Sequence, residues 1–420
     1  MNIPIDKLYH YLETVARDVY GDVVIYHFYP HGSKKLEDLK GLRKQSSADR
    51  YMLPSIYCHD QEPLSYNLYT NQILAPRPGQ QLFKKYNIAY NDEPFIKYPS
   101  IYNKRLLIHS EKKSPDIDLF QQKNFIPIYY WSHGIIALDW YRYASYEQLN
   151  KNVNKTFLIY NRAWSGTREY RLKFVDLLID YNLIDQCQTT FSPIEPELQL
   201  HYTKHKFVNS KFQPGHQLEN YLLPNSVDAT ASADYEINDY NTTNIEVVLE
   251  TLFDDQRLHL TEKILRPIAL AQPFILAATQ GSLEYLRSYG FRTFASVFDE
   301  SYDTIKDPVL RLEAIVTIMK EITKWTEQEC KEKLALANQI ALYNRKHFFS
   351  NKFFAQIEDE LIANLKQGFA EFETTVDTNG FFELRKQAAK FEEIKTHILE
   401  LENRQDIIKI LTKAKEYRKH

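Results

Sequence analysis

Short apolar runs alternate with helix-length amphipathic segments along most of this chain. In the N-terminal part the runs lie at 23–29, 55–59, 105–109 and 125–131. Strands buried on both faces appear as continuous apolar runs, and helices join them in parallel sheets, so this pattern predicts a parallel α/β sheet. The pattern restarts at 155–160 and continues through a helix near 168–181, apolar segments at 244–252 and 260–270, and a strand at 273–278. We therefore predict two α/β domains, with a boundary near 150 in the polar stretch 147–155.

The C-terminal part has a helical pattern from Asp307 onward. Asp307 can cap a helix, and Pro308 suits its first position. In the tail at 381–420, apolar residues recur at helical spacing among charged ones, which predicts a docked amphipathic helix; a dimerising coiled coil is the alternative. The small, polar residues of 225–243 predict a surface loop.

Glycine is scarce, at 11 of 420 residues, and no two glycines stand two positions apart. The chain therefore lacks both the G-x-G-x-x-G dinucleotide loop and the glycine-rich phosphate loop. A phosphorylated ligand would have to be held by cationic side chains and helix N-termini. The hydrophobic content of 44% and the net charge of −3 exclude a disordered chain and a strongly basic nucleic-acid coat protein. Three scattered cysteines fit a reducing cytoplasm, and no apolar run approaches membrane-spanning length.

The segment 157–174 is the first candidate for chemistry. A predicted strand ends at Tyr160, and Arg162 and Arg168 follow where a loop meets a helix start. Backbone N–H groups at such a start favour an anion, and arginine can add bidentate contacts to a phosphate. The alternative is a solvated basic loop whose arginines pair with local acids.

The segment 260–270 is the second candidate. Thr261 is a good N-cap and Glu262 suits a first helical turn, but Lys263 and Arg266 oppose the helix dipole there. An anionic ligand would explain these cations, although lysines at helix starts are also common on surfaces. Pro267 either kinks this helix or marks its true start.

Polar clusters follow three strands of the N-terminal half. Their candidate residues are His59, Asp60, Gln61 and Glu62 after the first, His109 and Glu111 after the second, and His133 after the third. Ligands bind at the carboxyl ends of parallel strands, so these clusters can converge on one cleft and supply a general base. The alternative for any single member is a capping aspartate or a satisfied core histidine. The Asp116-Ile117-Asp118 stretch is better interpreted as a helix start than as a metal site.

Several of these segments resemble, in the same order, a family of glycosyltransferases of large tailed bacteriophages. The resemblance rests on Thr261-Glu262-Lys263, PFILAA at 273–278, the turn at 280–282, and 289–294 leading into 299–303; upstream it includes HDQEPL at 59–64, LLIHSEKKS at 106–114 and 129–144. The Thr-Glu-Lys element is also similar to the donor-binding element of fucosyltransferases and exostosin-like enzymes. The resemblance implies a GT-B fold: α/β, with two Rossmann-like domains and a helical C-terminal extension.

The resemblance also implies roles for the candidate residues. Residues 1–150 would form the acceptor-side domain, 151–345 the nucleotide-sugar domain, and 346–420 helices that pack back on the first domain. Donor binding would fall to Arg162, Arg168, Thr261, Glu262 and Lys263, and catalysis to Asp60, Glu62 or His133. His59, Gln61, His109 and Glu111 would contact the acceptor.

The implied reaction moves a sugar from a nucleotide diphosphate, a UDP-sugar in preference to a GDP-sugar, to a hydroxyl group. It would need neither a metal nor a bound cofactor. The leading acceptor is a hydroxylated pyrimidine in phage DNA; the alternatives are a glycan, a protein, or an inactive GT-B-like protein that binds nucleotide or DNA. We expect a monomer or weak dimer in the cytoplasm of an infected bacterium, without contact to a membrane.

Overall fold

The computed structural model describes residues 8–27, 54–61, 63–64, 104–196, 198–221, 234–253 and 256–375. These residues fall into two compact units. Unit 1 contains those within Ser110–Pro115 and Tyr129–Leu361, together with the first turn of the first helix. Unit 2 contains those within Leu12–His109 and Asp116–Ile128 and those from Ile362 onward. Each unit has its own sheet.

The sheet of unit 2 has four strands in the order β1-β2-β3-β4. They are β1 (Val24–His27), β2 (Ser55–His59), β3 (Arg105–His109) and β4 (Phe125–Tyr129), and the helices α1 (Leu8–Tyr20) and α2 (Pro115–Gln122) accompany them. The pairs β1–β2 and β2–β3 are parallel. Tyr57, Leu107 and Phe125 pack with Phe120 of α2 in one buried cluster. The predicted strands at 55–59 and 105–109 are confirmed, and the one at 125–131 is shorter than expected. The strand predicted at 23–29 is confirmed over Val24–His27, and its last two residues lie outside the described residues.

The sheet of unit 1 has the order β10-β9-β5-β6, and every adjacent pair is parallel. Its strands are β5 (Lys155–Tyr160), β6 (Cys187–Thr190), β9 (Thr243–Leu249) and β10 (Phe274–Ala277); β7 (Ile194–Glu195) and β8 (Leu200–His201) form a separate antiparallel pair. The helices of this unit up to residue 288 are α3 (Ser132–Trp140), α4 (Tyr170–Asp180), α5 (Ile237–Thr242), α6 (Glu262–Ala269) and α7 (Ser282–Ser288). The predicted α/β class with parallel sheets is confirmed.

The prediction of a surface loop at 225–243 is wrong at its C-terminal end. Residues 237–242 form α5, and Thr243 already begins β9, while 222–233 lie outside the described residues. Local polar contacts explain the difference: the Thr243 hydroxyl donates to the Asp239 carbonyl at 2.7 Å, and Tyr160 donates to the Asp239 carboxylate at 2.7 Å. The polar groups here form hydrogen bonds with one another and not with solvent.

Three long helices, α8 (Pro308–Ile322), α9 (Glu327–Phe348) and α10 (Asn351–Glu373), follow. The predicted cap is confirmed, because the Asp307 carboxylate accepts from the Val309 N–H at 2.8 Å and Pro308 opens α8. The end of α10 belongs to unit 2, where Phe369 stacks on Tyr20 at 4.2 Å. The predicted tail helix at 381–420 lies outside the described residues. Within the described residues, no helix combines the length and apolar character needed to cross a membrane.

Candidate functional site

Three segments that follow strands meet within unit 1. The Ser132 backbone N–H, at the start of α3, donates to the Ser110 hydroxyl at 3.2 Å. The Trp131 indole donates to the Leu260 carbonyl at 2.8 Å, and the Lys112 N–H donates to the Leu258 carbonyl at 2.8 Å. The start of α6 is therefore held against the segments that follow β3 and β4.

Thr261 caps α6, as the sequence predicts. Its hydroxyl accepts from the Lys263 backbone N–H at 3.4 Å, and Glu262 occupies the first turn. The Lys263 ammonium lies 2.8 Å from a Glu262 carboxylate oxygen and 3.3 Å from the Thr261 hydroxyl. Glu262 thus offsets the unfavourable interaction between this cation and the helix dipole. The Lys263 side chain keeps 16% exposure, so it can meet a ligand at the helix N-terminus.

Glu250, directly after β9, anchors this helix start and was not among the residues predicted from the sequence. Its fully buried carboxylate accepts from the Thr261 N–H at 3.1 Å and from the Thr261 hydroxyl at 2.7 Å. Burial raises the pKa of Glu250, and the nearby Lys263 opposes that shift. A glutamate at the end of a buried strand is the one signal that could have identified it.

His133 and Glu262 form a buried contact across this site. The His133 Nε2 lies 3.4 Å from a Glu262 carboxylate oxygen, and the two side chains are 1% and 2% exposed. His133 belongs to the first turn of α3, and Glu262 opens α6. The structure therefore brings together one predicted catalytic residue and one predicted donor-binding residue. Glu262 lies between His133 and Lys263, because it contacts both.

His259, which was not among the residues predicted from the sequence, completes this group. Its ring packs edge-on against the His133 ring, with 5.1 Å between centroids and 83° between planes. Its Nδ1 lies 3.2 Å from the Ser110 carbonyl oxygen. Burial lowers the pKa of His259 to about 4, so the ring is neutral at neutral pH.

The loop between β5 and α4 carries the predicted arginines. Arg168 ends the short helical turn Gly166–Arg168, and the neighbouring Thr167 donates to the Thr251 carbonyl at 2.9 Å. This contact brings the loop to the end of β9, next to Glu250. Arg162 is half-buried on the same loop. The buried Arg171 has a structural role, since it donates to the Ala163 and Leu249 carbonyls at 2.6 Å each.

Arg266 is not the ligand-facing cation that an anionic site would require. Its guanidinium lies 2.5 Å from the buried Glu246 carboxylate and donates to the Tyr240 hydroxyl at 3.1 Å. Pro267 lies inside α6, so it does not mark the helix start. Of the two cations that the sequence placed at this helix start, only Lys263 is available there.

The predicted acceptor-side residues are divided between the units. His59, Asp60, Gln61 and His109 are buried in unit 2 at the ends of β2 and β3, where His59 pairs in register with His109. Glu111 and His133 are buried in unit 1. Glu62 lies outside the described residues. Their assignment to catalysis and acceptor binding stays a prediction.

Among the described residues, Asp176, Asp180 and His216 have the spacing to bind a metal ion. Asp176, however, already accepts from the Gly215 and His216 backbone N–H groups at 2.9 and 2.8 Å and contacts Lys173 at 2.5 Å. These bonds explain the carboxylate as an anchor for residues 215–216. Asp116 and Asp118 lie in the first turn of α2, where acids favour a helix start.

Comparisons with known proteins give one structural likeness. The chain matches no protein-family model, and it matches no curated protein in sequence. Its structure is similar to that of a T4 phage BGT mutant in complex with UDP-glucose, with 12% sequence identity and a TM-score of 0.39. The match covers 84% of this chain and 85% of the other.

Proposed function

We propose that this protein is a glycosyltransferase that moves a sugar from a nucleotide diphosphate to a hydroxyl group. The observation that carries the proposal is the Thr261-Glu262-Lys263 element at the start of α6, fixed to the end of β9 by Glu250. A cation beside helix N–H groups is suited to a diphosphate, and the glycine-poor sequence offers no phosphate loop in its place.

The diphosphate would be held by Lys263 together with Arg162 and Arg168. Charge develops on the diphosphate as it departs, and fixed cations stabilise that charge without reorganising. The contact of Thr167 with Thr251 supports this role for the β5–α4 loop, because it holds the loop at the end of β9. The proposed donor is a UDP-sugar, and the proposed reaction does not require a metal ion.

His133 would take the proton of the acceptor hydroxyl. If its Nε2 donates to the Glu262 carboxylate, its Nδ1, which lies 3.5 Å from the Ser132 hydroxyl, carries the lone pair that can act as a base. The acceptor oxygen then bonds to the anomeric carbon, and the bond from that carbon to the diphosphate breaks. The bonding electrons leave with the diphosphate, and the proton ends on His133. Asp60 and Glu62 are the alternative bases.

We further propose a hydroxylated pyrimidine of phage DNA as the acceptor. His59, Gln61, His109 and Glu111 would contact it, with 1–150 as the acceptor-side domain and 151–345 as the donor domain. A base within a duplex would have to be extruded from the stack to reach the sugar.

The test is direct product analysis with the full chain. DNA that contains hydroxymethylpyrimidines is incubated with the protein and a panel of UDP- and GDP-sugars, then hydrolysed to nucleosides and weighed by mass spectrometry. A nucleoside heavier by one hexose with one donor supports the proposal. Sugar transfer only to a glycan or protein would replace the acceptor, and nucleotide binding without transfer to any acceptor would identify an inactive binding protein.

A further inference from the structure

His259 carries a buried polar atom that the protein leaves unused. The side chain is fully enclosed, and its Nε2 has no hydrogen-bond partner among the described residues. Leaving a buried polar atom unpaired costs stability, so such atoms are rare in native proteins. This atom therefore requires an explanation.

The contact to Ser110 determines what His259 can bind. A carbonyl oxygen only accepts hydrogen bonds, so the Nδ1 that lies 3.2 Å from it must carry the ring proton. In the neutral ring, Nε2 is then a bare acceptor. It can bind an O–H or N–H group, and it repels phosphate oxygens, which have no proton to donate.

The contacts of His259 lead to Lys263 through His133 and Glu262. Lys263 contacts Glu262, Glu262 contacts His133, and the His133 ring packs on His259. A second set of contacts from the α6 start, through Glu250 and Thr251, leads to the loop that carries Arg168. If the diphosphate binds to Lys263 and Arg168, the reacting sugar would lie on the side of His133.

We propose that His259 is a specificity-determining residue that accepts a hydrogen bond from a hydroxyl of the transferred sugar. This inference rests on the proposed function. The neutral ring distinguishes an uncharged hydroxyl from the anionic groups bound nearby. The Ser110 carbonyl fixes the ring tautomer, so the acceptor is present before the sugar arrives.

Two variants distinguish the role of Nδ1, which contacts the Ser110 carbonyl, from that of Nε2, which would accept the hydrogen bond from the sugar. His259→Asn keeps a donor that can reach the Ser110 carbonyl but has no atom at the Nε2 position. His259→Gln places an amide oxygen near the Nε2 position and restores the acceptor. Thermal melting of both variants confirms that they fold.

The measurement is calorimetric binding of UDP-glucose and of UDP to the full-length protein. For His259→Asn we expect about tenfold weaker binding of UDP-glucose, the effect of one lost hydrogen bond, with UDP binding unchanged. His259→Gln should recover part of the loss. Equal weakening for both ligands, or no weakening for either, would overturn the role of His259 and leave the proposed function standing. If the wild-type protein binds neither ligand, the proposed UDP-sugar function fails, and this inference fails with it.

Discussion

The Glu250 carboxylate binds Thr261 twice, accepting from its backbone N–H at 3.1 Å and from its hydroxyl at 2.7 Å. One oxygen of the same carboxylate also accepts from the Thr251 N–H at 3.2 Å. A single buried side chain thus joins the end of β9 to the first residue before α6. The orientation of Lys263 at the start of that helix depends on this connection.

Replacing Glu250 with Gln should weaken both folding and nucleotide binding. The new amide NH₂ would face N–H and O–H donors, so at least one buried donor loses its acceptor, at a cost of about 1–3 kcal/mol. Chemical denaturation measures the stability, and UDP calorimetry measures the binding. Glu321→Gln, on the exposed side of α8, is the matched control and should change neither. Wild-type stability in Glu250→Gln would contradict the anchoring role.

Lys263→Ala should weaken UDP binding while the protein stays folded. A charge-assisted hydrogen bond to phosphate contributes about 1.5–3 kcal/mol, so the Kd should rise roughly 10- to 100-fold, and less at high salt. Lys331→Ala removes an exposed lysine on α9 and serves as the control. Equal UDP affinity in the two variants would remove Lys263 from the donor site.

Glu262→Gln should slow turnover more than it weakens UDP binding. The variant keeps the side-chain shape but removes the charge that faces His133 at 3.4 Å, so the imidazolium formed during proton transfer loses its partner. General-base catalysis contributes about 10²–10⁴-fold, and a loss within that range is expected in kcat. The pH profile of kcat should also shift, because the partner of the base has lost its charge. An unaltered kcat and profile would argue for Asp60 or Glu62 as the base.

The sequence predicted the parts of the fold that depend on local pattern. Apolar runs located β2, β3 and β5, and side-chain chemistry located the caps Thr261 and Asp307. It missed β6, because Cys187–Thr190 is too polar to appear as a buried strand and is defined by pairing with β5. Pairing between distant segments has no local signal.

The candidate site was predictable only in part, for the same reason. Thr261, Glu262 and Lys263 are adjacent in sequence, so their spacing could be interpreted directly. Glu250 and His259 acquire their roles from partners that the fold supplies, Thr261 for the first and Ser110 with His133 for the second. Arg266 was misjudged because its partner, Glu246, is 20 residues away on β9.

The Arg266–Glu246 pair should be essential as a pair and replaceable as a unit. Removing one partner leaves a buried charge, so Arg266→Met or Glu246→Leu should destabilise the protein by about 3–5 kcal/mol. The double variant Arg266→Met/Glu246→Leu should recover much of that loss, since apolar groups of similar size need no charge partner. Urea denaturation of the four proteins gives the coupling energy. Additive losses would show that the two side chains act independently.

The stability of the protein should depend on pH through His259. Its pKa is about 4 in the folded protein and 6.5 in an ordinary environment, so between these values the unfolded chain binds more protons. The contribution of His259 to the free energy of unfolding is fully present above pH 6.5 and is lost as the pH falls toward 4. Between pH 7 and pH 5 the loss amounts to about 2 kcal/mol.

Glu262, Lys263, Arg257 and His133 face the same ring, so the wild-type protein alone cannot assign the effect. His259→Asn keeps these neighbours and removes the titrating group; its free energy of unfolding should therefore fall by about 2 kcal/mol less than that of the wild type over this interval. Parallel curves for the two proteins would show that His259 does not titrate in this way.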